Sequence, residues 1–212
     1  MASSLRRVQR GLEDLYRVDT GGANVDDFMV DAPTRDAVVG GRRPREQLLV
    51  CEDAGEMSLA LFVDAAALAN LTANDPARGL GHGNFGDFLL AIEGVSHFVY
   101  AVCCARAERP VTQLELELQA EVDKYVTCLL VTDPTPRVSR ELRGRLFAGA
   151  IYEDDLDAEE RDRYRAANDN AYRYTGMLER AFVGARKIPE MLAELRRFYR
   201  RGLAAKLADC AA

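Results

Sequence analysis

Glu93 and His97 stand in the middle of an almost wholly apolar stretch, Phe85 to Val102, that is long enough to form a helix. Four residues apart, they share one face of it. An ionisable pair in such surroundings needs a partner, a metal or water, because an uncompensated buried charge is costly. A carboxylate and an imidazole can work as general base and acid with pKa values moved by burial, or can donate two ligands to a divalent metal. Either role asks for a third group.

The third group must come from a second helix. Thr112-Gln113-Leu114-Glu115 is a capping box, so that helix starts there and runs to about Val131. The connection before it, Arg106 to Val111, is short and carries Pro110, which favours an antiparallel pair turning near Arg109. In such a pair His97 lies level with Glu121 and Glu93 with Tyr125. Glu93, His97 and Glu121 are therefore the candidate catalytic set. The same three are the candidate metal ligands, and a set dominated by carboxylates points to magnesium, manganese or iron more than to zinc. Two readings compete with chemistry: a narrow solvent-facing stripe, and a buried His–Glu hydrogen bond that fixes packing. Glu115 serves the cap, Glu117 shares a side with Glu121 and Lys124 as in a surface ion pair, and Asp123 turns to a different side.

Complete catalytic templates do not occur. His82 and His97 are the only histidines, and neither follows a Glu by three residues, so the Glu-x-x-His pattern of carboxylate-bridged bundles is absent. There is no His-Glu-x-x-His and no Gly-x-Ser-x-Gly elbow. Gly81-His82-Gly83-Asn84-Phe85-Gly86 spells a dinucleotide fingerprint but follows a helix and a break at Asn74-Asp75-Pro76, where the βαβ context would require a strand. It reads as a flexible approach to the Phe85 helix with Asn84 as its N-cap and His82 at the rim.

Charge is unevenly divided. Residues 153 to 162 are strongly acidic, whereas Arg196, Arg197, Arg200 and Arg201 form a basic surface on the last helix. That face suits phosphate or nucleic acid, with tyrosines such as Tyr172 and Tyr199 for stacking. A net charge of −6 and a pI near 5.1 argue against a duplex binder and favour a solvated face drawn to acidic segments of the same chain or a neighbour.

The elements that position these residues follow from periodicity. Leu5, Val8, Leu12, Leu15 and Tyr16 repeat at helical spacing behind Ser3 or Ser4 and stop at Gly21-Gly22. Gln47 to Cys51 and Met57 to Val63 alternate as a β-hairpin across Glu52 to Gly55. Val25 to Val30 and Ala37 to Val39 are candidates for further strands, giving an antiparallel sheet of about three, with Gly40 to Pro44 as an exposed loop. After Asp64 the chain reads as roughly five helices broken at 74–76, 79–83, 109–110, 133–136 and 184–189. Asp157 with Glu160 caps a stripe from Tyr164 to Phe182, and Pro189 opens a helix running to Leu203.

The expected fold is α+β: residues 1–72 hold an N-terminal helix, the small sheet and a short helix, and residues 73–212 a helical bundle, all in one cooperative unit. The start is polar, the single long apolar stretch carries Glu93 and His97 mid-span, and five cysteines show no paired spacing. A cytoplasmic protein with free thiols and no membrane association is expected. The leading functional expectation is an interaction or regulatory protein, acting on another protein or on itself through helical, charge-patterned surfaces. The alternatives are a small metal-dependent or acid–base enzyme built on Glu93, His97 and Glu121, and phosphate or nucleic-acid binding by the C-terminal helix. Whether the chain is an enzyme stays open at this level.

Overall fold

The computed structural model describes residues 2–53, 56–148 and 155–211. These confirm an α+β protein, with a two-stranded antiparallel hairpin early in the chain and helices after it. Ala54 and Gly55 of the expected turn, and Glu153 and Asp154 of the acidic segment, lie outside the described residues. Two compact units emerge: residues 1–13 with 18–110, and residues 14–17 with 111–212.

Helix α1 (Ser4–Tyr16), whose first ten residues belong to the first unit and last three to the second, begins where the Ser3 hydroxyl accepts the Arg6 amide at 2.9 Å. The expected stripe is the one that is buried, Leu5 and Leu12 included. The strands expected around residues 25–39 do not form. Val25–Phe28 is a 3-10 turn capped by Asn24, and Ala32–Val38 is a helix, α2. The physical reason is legible in hindsight: Asp31 accepts the Thr34 amide at 2.9 Å and Pro33 occupies the first turn, both strong signals for a helix start. The link to the sheet shrinks to one bridge, Met29 to Leu61.

Strands β1 (Glu46–Asp53) and β2 (Glu56–Val63) pair with Leu48 opposite Leu61 and Val50 opposite Leu59. The base of the hairpin is buried and its far end exposed, so the apolar alternation is used only from about Leu61 onward, where Leu61, Phe62 and Val63 all enter the core. Both strands pack on α4 (Phe85–Arg106), as does α3 (Ala65–Ala73). Among the described residues α4 alone has the length and hydropathy to cross a membrane, but 72% of that window is buried inside the protein, as in a core helix. The Gly-rich approach to α4 is built differently from expectation. Asn84 gives α4 no side-chain cap; its amide instead bonds the Gly81 nitrogen and the carbonyls of Asn74 and Gly79, tying the loop to itself.

The second unit contains α5 (Gln113–Val131), α6 (Pro136–Phe147), α7 (Ala158–Leu178), α8 (Ile188–Tyr199) and α9 (Leu203–Ala211). Thr112 accepts the Glu115 amide at 3.2 Å, and the Asp157–Glu160 capping box is complete. Helix α7 packs on α5, α6 and α9, with Ala167, Ala171, Tyr174 and Leu178 in the core. Beyond Leu178 it changes to a π-helical turn, Glu179–Val183. The expected single helix from Pro189 to Leu203 is divided: α8 ends at Tyr199 and α9 starts at Leu203. Gly202, with its low helix propensity, lies at the break.

Candidate functional site

His97 is only 7% exposed, so it is not part of a solvent stripe. One carboxylate beside it is Glu46, the first residue of β1, with Nδ1 to Oε1 at 3.6 Å. Gly94, three residues before His97 on α4, makes the room: a Cβ there would lie 2.9 Å from Cγ of Glu46 and 3.1 Å from Cδ1 of Leu61. Glu93 is half-buried on the same helix. Glu121 belongs to the second unit, where Lys124 donates to it at 2.9 Å on α5. Among the described residues no group of three or more His, Cys, Asp or Glu side chains could hold a metal ion. His82 is exposed in the loop ahead of α4. The packing reading of the His–Glu pair thus gains a specific partner in Glu46, which no motif marks in the sequence.

The second unit has a buried polar cluster of its own. Lys206 of α9 has no exposed surface and donates to Oε1 of Gln119 at 2.5 Å. Gln119 donates in turn to Asp123 at 2.8 Å and to the Tyr16 hydroxyl at 3.2 Å, and Tyr16 donates to Asp123. The ammonium also lies 4.9 Å from the Phe198 ring centre and 5.9 Å from that of Tyr199. Tyr16 stacks on Tyr199 at 4.0 Å and Tyr174 on Phe198 at 3.9 Å. Burial, and then the Asp123 charge, hold the Tyr16 hydroxyl well above the ordinary tyrosine range, so it remains a donor. Asp123, which helical phase alone set apart from Glu121, is the carboxylate of this cluster.

The basic face of α8 is largely spent inside the chain. Arg196 donates to the Leu15 carbonyl at 2.8 Å, and Arg200 to those of Tyr16 and Arg17 at 3.0 and 3.2 Å. These are the orphan acceptors at the C-terminal end of α1. Arg197 pairs with Glu194, and Arg197 and Arg201 hold Asp209 at 3.2 and 2.8 Å. Four arginines that look like a phosphate surface in the sequence act as caps and ion-pair partners.

Cationic groups do gather elsewhere in the same unit. A cleft of 420 Å³ is lined by Arg143, Tyr172, Arg173, Met177, Arg180, Asp209, Cys210 and Ala211. Arg143 is fixed there by three contacts. It donates to Thr175 Oγ1 at 3.3 Å and to the Tyr172 carbonyl at 3.1 Å, and it lies 3.6 Å from Glu179. Its guanidinium stacks over the Tyr172 ring, 4.4 Å from the centre. Gly176 is the position that lets the arginines meet. A Cβ at 176 would stand 2.7 Å from Nη2 of Arg143 and 3.2 Å from Nη1 of Arg180, so both guanidinium groups lie over the same bare stretch of helix. Arg173, Met177 and Arg180 project from the same side of α7 and its π-helical extension, spaced four and three residues apart. Among the described residues, neither Arg173 nor Arg180 has a carboxylate at ion-pair distance. The Cys210 thiol in the wall is pushed up to about 12 by burial and then by Asp209, so it stays protonated and unreactive.

Sequence reading passes over this constellation because Arg143 and Arg180 are far apart in the chain. The one local signal is Gly176 inside a long helical stripe with Arg173 and Arg180 on either side of it, a glycine that needs a packing or functional reason. Comparison with protein families, with curated proteins and with solved structures finds no match to this chain.

Proposed function

We propose that the chain is an interaction or regulatory protein working through charged helical surfaces, and that its working surface is the Arg143, Arg173 and Arg180 cleft, which takes up an anionic group. The observation that carries this reading is the convergence of two guanidinium groups over Gly176 in a concave site of 420 Å³. Arginines that served only solubility would have no reason to lie together over a helix stripped of its side chain. Five free thiols, Cys51 exposed among them, support a reducing compartment such as the cytoplasm.

Thermal melts of the full chain in sulfate, phosphate and citrate, matched in ionic strength by chloride, test the reading. The multivalent anions should raise the melting temperature, by the equivalent of about 2.7 kcal/mol at a hundred times Kd. Arg173→Ala and Arg180→Ala should each remove most of that rise. Equal melts in all salts, or variants that respond like the parent, would refute a built anion site.

A further inference from the structure

The cleft is selective about the anion it can satisfy. One arginine fork engages both oxygens of a carboxylate and leaves only their outer lone pairs, whereas a tetrahedral oxyanion with three or more oxygens offers a separate edge to each of two forks. Nη2 of Arg143 and Nη1 of Arg180 both lie close to Gly176, and Arg173 lines the same cleft. The lining adds a single carboxylate, Asp209, which Arg197 of α8 and Arg201 beyond its end already hold, while Glu179 lies 3.6 Å from Arg143. That leaves the charges of Arg173 and Arg180, which have no carboxylate at ion-pair distance among the described residues, an excess suited to a dianion. The volume exceeds what a bare oxyanion fills, and the wall away from the arginines is formed by Met177, Cys210 and Ala211. Its thiol is neutral, so this side suits an uncharged organic body.

We infer that the cleft binds the phosphate monoester of a small organic molecule, with the phosphoryl oxygens between Arg143 and Arg180 and the esterified group along Met177 and Cys210. This rests on the reading of the cleft as the anion-binding surface, and it adds the ligand class.

Isothermal titration of the full chain with glycerol phosphate, phenyl phosphate, citrate, free phosphoserine and a phosphoserine peptide tests it. Both organic phosphates should bind at least tenfold tighter than citrate. Their affinity should rise between pH 5 and pH 7 as the phosphate becomes a dianion, whose second pKa is about 6. Gly176→Ala is the decisive variant because it leaves every charge in place. By displacing both guanidinium groups it should weaken phenyl phosphate at least tenfold, whereas diffuse electrostatic attraction would be untouched. Arg180→Lys, which keeps the charge and loses the fork, should recover only part of what Arg180→Ala loses. Citrate binding as tightly as the esters would overturn the ligand class while leaving the anion cleft standing; no anion binding at all would overturn both. A peptide binding more than tenfold tighter than free phosphoserine would overturn the small-molecule assignment in favour of a protein-borne phosphate.

Discussion

Lys206 carries its amino group into a site with no solvent, where an amide oxygen and two aromatic faces are among its partners. Removing it strands the Gln119 oxygen, opens a cavity against Phe198, and weakens the support that Gln119 gives Tyr16 and Asp123. Lys206→Ala should therefore cost about 2–4 kcal/mol, read as a lower denaturation midpoint in urea with an unchanged slope. Lys206→Met keeps the volume and should cost less; if the two variants were equal, packing would explain the site without the hydrogen bond. The sequence makes single residues the hardest objects to place. Glu93 and His97 stand out because charge is rare in an apolar stretch, yet a carboxylate beside His97 is Glu46, which lies on a strand 51 residues earlier. Periodicity can say which residues share a face but not which strand end meets that face. Asp123, Gln119 and Lys206 look like ordinary polar surface until α5 and α9 bring them together with Tyr16 of α1.

At the scale of elements the packing of α4 on the hairpin turns on Gly94. A methyl group there meets Glu46 and Leu61 at 2.9–3.1 Å, so Gly94→Ala must push the Glu46 side chain from beside His97 or shift β2. Overpacking of about 1–3 kcal/mol is offset by about 1 kcal/mol of helix propensity, for a net loss of up to about 2 kcal/mol. Gly144→Ala in α6, where nothing lies within 4 Å of the added carbon, should instead gain about 0.5–1 kcal/mol. Urea melts of the two variants check the contrast; a neutral Gly94→Ala would show that Glu46 moves aside freely. Elements were largely readable because their signals are local. Ser3, Asp31, Thr112, Thr135 and Asp157 all accept backbone amides at helix starts. At residues 25–39 the Asp31 and Pro33 start signal outweighs the apolar content that suggests strands. Where α8 ends, a regular run of leucines masked Gly202.

For the molecule as a whole, the weak side is alkaline. The chain is acidic, with a net charge of −6 at pH 7, and its helical unit buries acids that must stay protonated. Burial raises Tyr125 to about 12; burial and Asp123 raise Tyr16 well above its ordinary value near 10, and Tyr174 is raised by burial and by Glu194. The buried thiols of Cys128 and Cys210 are likewise pushed up to about 12 from an ordinary value near 9. Each of these groups binds its proton more tightly folded than unfolded. Its contribution is complete below the unfolded pKa and drains away as pH rises toward the folded one, by about 1.4 kcal/mol per group per pH unit. Stability should accordingly start to fall near pH 9, where the thiols lead, and fall steeply from pH 10 to 12 as the tyrosines join them. Circular dichroism and tyrosinate absorbance followed on one sample should show Tyr16, Tyr125 and Tyr174 ionising only as helix is lost. If all the tyrosines ionised near pH 10 with the helical signal intact, the buried rings would be open to water and the tight core described around Tyr16, Tyr174 and Tyr199 could not hold.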